Sequence, residues 1–96
     1  MIDTLINAIR ERKEIEFTYS GLRRTGQPAT IGVSTSGNEV LRIYQTVGGH
    51  VHPNHEWDLC YVSDLSNIRV TDSVFLVNPP GYRKGDRGMS TIYEEL

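Results

Sequence analysis

The sequence predicts a mainly β domain: an N-terminal helix, a small five-stranded antiparallel barrel and a short C-terminal helix. Apolar residues at helical spacing occur only near the two ends, at Ile2, Leu5, Ile6 and Ile9 and again at Met89, Ile92, Tyr93 and Leu96. Between them, short stretches alternate apolar and polar residues at the two-residue period of a strand. Turn-forming residues punctuate those stretches, and 96 residues make one domain that hides roughly 60–65% of its unfolded surface.

The opening helix is expected over residues 3–13, with Asp3 accepting hydrogen bonds from the exposed amides of its first turn. The barrel is expected over residues 14–77. Its first strand is "EIEFTYSG", with Ile15, Phe17 and Tyr19 on one face and a Ser-Gly turn signal at its end. "LRRTGQP" reads as a polar connection in which Pro28 stops pairing or confines it to an edge. "ATIGVS" and "EVLRIYQ" form a hairpin through Thr35–Asn38, and "VGGHVHPN" is a loop. In "EWDLCYV", Trp57, Leu59 and Tyr61 alternate against Asp58, Cys60 and Val62, and a last strand passes through Ile68 and Val70. The expected core is Ile15, Phe17, Leu41, Ile43, Trp57 and Leu59. A closed barrel is expected because closure removes the exposed edges of a small antiparallel sheet. "NPPGYRKGDRG", residues 78–88, is irregular, and residues 89–96 form a helix too short to stand without a surface to dock on.

Hydrophobic residues at 38% and charged residues at 23% place the chain among globular proteins rather than disordered or membrane ones. No stretch reaches the ~20 apolar residues of a membrane helix, and no secretory signal is readable, so a cytoplasmic protein with no membrane partner is expected. The net charge of −2 gives the whole domain no electrostatic footprint for nucleic acid. Basic clusters remain at Arg10/Arg12/Lys13, Arg23/Arg24 and Arg83/Lys84/Arg87. The single cysteine, Cys60, cannot form an internal disulfide and reads as a small buried apolar residue.

Catalytic motifs are lacking. "GVSTSG" has one residue too many for a nucleophile elbow, and "GLRRTG" lacks the lysine of a phosphate loop. No enzyme and no cofactor are expected. His50, His52 and His55, with Glu56 or Asp58, could ligate zinc or nickel; the other reading is a polar loop rich in turn formers, and no metal is expected.

The succession "AIRERKEIEFTYSG", "RTGQP", "LRIYQ", "WDLCYVSDLSNI" and "F…PPGYRKGD" resembles the WYL domain, most closely the small stand-alone WYL-like proteins of bacteria and their phages. The likeness runs from about Ala8 to about Asp86. It implies an Sm-like five-stranded barrel entered by a helix, and a non-catalytic ligand-sensing or nucleic-acid-associated module in bacterial transcription regulation or phage defence. The chain departs from the pattern at Glu39-Val40-Leu41, where the family has an aromatic pair before leucine. A second departure is His55-Glu56-Trp57, where typical members place an arginine two residues before the aromatic.

"EVLRIYQ" sends Leu41, Ile43 and Gln45 to one face and Val40, Arg42 and Tyr44 to the other. One reading of the Arg42/Tyr44 face is an exposed strand surface, with Arg42 over an aromatic ring for about 0.5–1 kcal/mol. The other is a groove. Arg24 matches the family's Arg-x-x-x-Pro element, and joining it to Arg42, Tyr44 and Gln45 makes a candidate site for an anionic or planar ligand. The expected function is therefore a ligand-sensing or interaction module whose partner is a small ligand or another protein. The alternative is a single-stranded nucleic-acid-binding barrel, with rings from Tyr19, Tyr44, Trp57 and Tyr61 and charge from Arg23, Arg24 and Arg42. With no helix-turn-helix in the chain, a regulatory output requires a partner chain or a homo-oligomer.

Overall fold

The computed structural model describes residues 1–48 and 56–96; His50, His52 and His55 lie outside the described residues. Helix α1 (Ile2–Arg10) buries Leu5, Ala8 and Ile9 and stops short of the expected residue 13. Arg12 ends it in the left-handed region, at φ 57°, with its amide donating to the Ile9 carbonyl at 3.1 Å. Strand β1 (Lys13–Tyr19) buries Ile15 and Phe17. Ser20 and Gly21, at φ 52° and 71°, form the two-residue turn that joins it to β2 (Leu22–Ser34). Positive φ at both central residues matches the twist of the flanking strands.

The segment expected to be a polar connection is strand: β2 runs unbroken for 13 residues through Pro28. Pro28 is tolerated because the pairing changes there. On one side of β2, β1 is paired as far as Gly26 and a C-terminal strand from Thr30 onward. The register with the strand on the other side also shifts between Pro28 and Thr30. A residue with no amide hydrogen fits where the ladder is already interrupted.

Strands β3 (Glu39–Gly48) and β4 (Trp57–Tyr61) follow, then a single 3-10 turn (Val62–Asp64), β5 (Ser66–Val74) and β6 (Met89–Glu95). All pair antiparallel. The order is β4-β3-β2-β1-β5, with β6 added on the second half of β2. The sheet is open rather than a closed five-stranded barrel, with β4 and β5 at its ends. Residues 89–95 form a strand, not a helix, because β1 leaves the second half of β2 unpaired and β6 satisfies those backbone groups. Gly32 permits it, since a Cβ there would collide with the carbonyl oxygen of Thr91.

The core contains Leu5, Ile9, Ile15, Phe17, Ile31, Leu41, Ile43, Cys60, Val62 and Leu65. Strand β4 is in the opposite phase to that expected. Cys60 and Val62 are buried, whereas Leu59 and Tyr61 are 37% and 46% exposed and Trp57 is half-buried. The register Leu41↔Cys60 and Tyr44↔Trp57 decides this, placing Cys60 beside an inward leucine and Trp57 beside an outward tyrosine. Among the described residues, no helix is long and apolar enough to cross a membrane.

Candidate functional site

Of the four residues expected to share a groove, the structure splits one pair from the other across β3. Arg24 and Gln45 point inward, each 3% exposed. The Arg24 guanidinium donates from Nη2 to the Tyr19 carbonyl at 3.0 Å. From Nη1 it reaches Gln45 Oε1 at 3.5 Å and Asp58 Oδ2 at 3.4 Å, and it lies 5.4 Å from the centre of the Tyr19 ring. Its buried Nε has no hydrogen-bond partner among the described residues. Burial also pushes the Tyr19 phenol above its ordinary pKa. Arg24 is thus an internal cation, not a groove wall.

Arg42 and Tyr44 face the other way. Arg42 donates to Asp86 along two prongs, Nε to Oδ2 at 2.8 Å and Nη2 to Oδ1 at 3.1 Å. Tyr44 meets Trp57 edge-on, with ring centres 5.2 Å apart. Arg42 and Trp57 lie beneath the 78–88 segment, which is fastened at several points, whereas Tyr44 reaches it only through its contact with Trp57. Trp57 Nε1 donates to the Pro80 carbonyl at 2.8 Å, and within the segment the Gly88 amide donates to Asp86 Oδ1 at 2.8 Å. Tyr82 donates its hydroxyl to the Leu96 carbonyl at 2.9 Å, and the Gly85 amide donates to Glu95 at 3.0 Å. The approach to this loop is fixed by Arg12, which donates to the Phe75 carbonyl at 2.9 Å and to Asn78 at 2.6 Å.

Between loop and sheet lies a cleft of about 390 Å³. Thr30, Arg42 and Trp57 line it from the strands, and Tyr82 and residues 83–87 from the loop. Four of these lining residues are cationic, Arg42, Arg83, Lys84 and Arg87, against the one carboxylate of Asp86. Arg83, Lys84 and Arg87 are exposed and form no ion pair among the described residues. The hydrogen bonds from Arg42 hold the Asp86 carboxyl below its usual pKa, against the opposing effect of burial. A cleft of this size, with an indole on its wall and cations at its rim, suits a small anion. The basic cluster at 83–87 is legible in the sequence but its place is not, because nothing local brings Asp86 back over Arg42, 44 positions earlier.

Cys60 offers no chemistry here. Burial pushes its thiol pKa up to about 12, so the folded protein carries it as the unreactive thiol. Because the folded pKa is raised, this contribution to stability is complete below the unfolded value of about 8.5 and is lost as pH climbs toward 12. A disulfide reagent at pH 7.5 is expected to label native protein only at the rate of unfolding. Rapid stoichiometric labelling would place Cys60 at the surface.

Among the described residues, no group of three or more His, Cys, Asp or Glu could hold a metal ion. Compared with known proteins, the chain matches no family model, no curated protein and no solved structure.

Proposed function

We propose that this chain is a non-catalytic binding module of WYL-like type that takes a small anionic ligand in the cleft between the outer sheet face and the 78–88 loop. The observation that carries the reading is the charge of the cleft: four lining cations against one carboxylate, in a chain whose net charge is −2. Three of them, Arg83, Lys84 and Arg87, have no ion-pair partner among the described residues; held near one another they repel, and an anion between them relieves that repulsion. The regulatory role implied by the resemblance fits a binding module, its output passing to a partner chain or a second copy.

Trp57 is the only tryptophan and lies on the cleft wall, so its fluorescence reports occupancy directly. Titration with tripolyphosphate at constant ionic strength is expected to give a saturable change. The triple variant Arg83→Ala, Lys84→Ala, Arg87→Ala should weaken binding at least about tenfold, while each exposed substitution alters stability by only about 0.5 kcal/mol. A flat titration, or equal affinity in the triple variant, removes the cleft as the site. The nucleic-acid alternative is tested in the same assay. Of the groups it draws on, Arg24 is buried, Tyr19 packs against the core, and Arg23 is held by the Asn67 carbonyl and Glu16. A thymidine oligonucleotide at about 50 µM and low salt is therefore expected to give no response. Binding with a log–log salt slope near −0.7 per phosphate would favour that alternative.

A further inference from the structure

One cation of the cleft already holds an anion. Arg42 grips Asp86 with two parallel N–H···O contacts, the arrangement in which a guanidinium binds a ligand's carboxylate or phosphate. Asp86 comes from the rim of the same cleft, and its side chain is only 9% exposed, against 29% for Arg42. Gly88 sits against the pair: a Cβ there would lie 3.1 Å from both Arg42 Nη2 and Asp86 Oδ1. The cations at 83, 84 and 87 have no such internal anion among the described residues.

Resting on the ligand-binding reading above, we propose that Asp86 holds the place of one anionic group of the ligand. The ligand is a small polyanion: one group displaces Asp86 from Arg42, and its remaining charge is taken by Arg83, Lys84 and Arg87. The physical reason is a balance of exchanges. Replacing Asp86 by another anion at Arg42 gains little, because a tethered carboxylate competes at high effective concentration. A monoanion therefore binds poorly. A polyanion makes the same near-neutral exchange and adds contacts that Asp86 cannot make, so the internal carboxylate selects for charge number. The loop stays on the sheet during the exchange, because the Trp57–Pro80, Tyr82–Leu96 and Gly85–Glu95 hydrogen bonds do not involve Asp86.

The experiment compares wild type with Asp86→Asn by Trp57 fluorescence at fixed ionic strength, using tripolyphosphate, citrate and acetate. Asp86→Asn is expected to bind tripolyphosphate or citrate about tenfold more tightly, a change of ~1.4 kcal/mol. It is also expected to respond to acetate, which wild type ignores, and Arg42→Gln in the Asp86→Asn background should abolish the gain. Whichever polyanion binds more tightly assigns the ligand as a polyphosphate or a polycarboxylate. Wild type provides a readout that does not depend on the variant folding. The Gly88 amide, which donates to Asp86, should shift in 1H–15N spectra as the polyanion saturates. Equal or weaker polyanion binding by folded Asp86→Asn, or a saturated wild type with an unmoved Gly88 amide, would show that Asp86 only fastens the loop. If neither protein binds any anion, the cleft reading itself fails and this proposal goes with it.

Discussion

Phe17→Ala is expected to lower the unfolding free energy by about 3–5 kcal/mol, the cost of emptying a large buried site that its neighbours cannot refill. Phe17 is fully buried and lies on β1, the strand between β2 and β5, where the helix and both flanking strands contribute to the same core. A domain of this size has only about 5–15 kcal/mol in total, so the variant should show a much lower urea midpoint and an unchanged m-value. Circular dichroism is the suitable probe, because Trp57 lies outside the core cluster. A loss below about 1 kcal/mol would put Phe17 at the surface and reverse the phase of β1.

The second large effect is at Arg24. Arg24→Met keeps most of the aliphatic stem but removes the donors that serve Tyr19, Gln45 and Asp58, and a buried pair broken from one side costs about 3–5 kcal/mol. The lower end, about 3 kcal/mol, is expected because the Asp58 side chain is 17% exposed and keeps some solvent. Adding Asp58→Asn should recover part of the loss, since the carboxylate no longer lies buried opposite an apolar group. A double-mutant cycle measures that coupling. Anion binding in the cleft should be unchanged in Arg24→Met under native conditions. The opposite pattern, stability kept and binding lost, would return Arg24 to the ligand site and contradict its inward orientation.

Several features were readable in the residues alone because each depends on neighbours a few positions away. The apolar spacing of Leu5 and Ile9 marks a helix face, and the alternation through Ile15 and Phe17 marks a strand with one buried side. Gly21 and Gly37 sit at positive φ in the turns where the Ser-Gly signals put them. The paired outward orientation of Arg42 and Tyr44 also follows from alternation, once Leu41 and Ile43 are taken as core. The resemblance joins Arg24 to Arg42 and Tyr44 through the Arg-x-x-x-Pro match, but the inward position of Arg24 was not legible: only three partners from β1, β3 and β4, assembled in space, make its burial tolerable.

Determined by the sequence itself, then, were the β class, the N-terminal helix, the hairpin turn and the inward face of β1 and β3, since hydrophobic period and turn chemistry are local properties. Tertiary structure decided the phase of β4, the strand character of residues 89–95, the open sheet and the cleft. In "WDLCYV" either face is apolar enough to be core, so the β3 register had to choose. Residues 89–95 suit a helix or a strand, and the unpaired half of β2 made the strand the form that satisfies its backbone. The cleft depends on Asp86 reaching Arg42 across 44 positions of chain. A contact of that range leaves no periodic mark, because its stability comes from charge and shape brought together by the fold rather than from any residue's sequence neighbours.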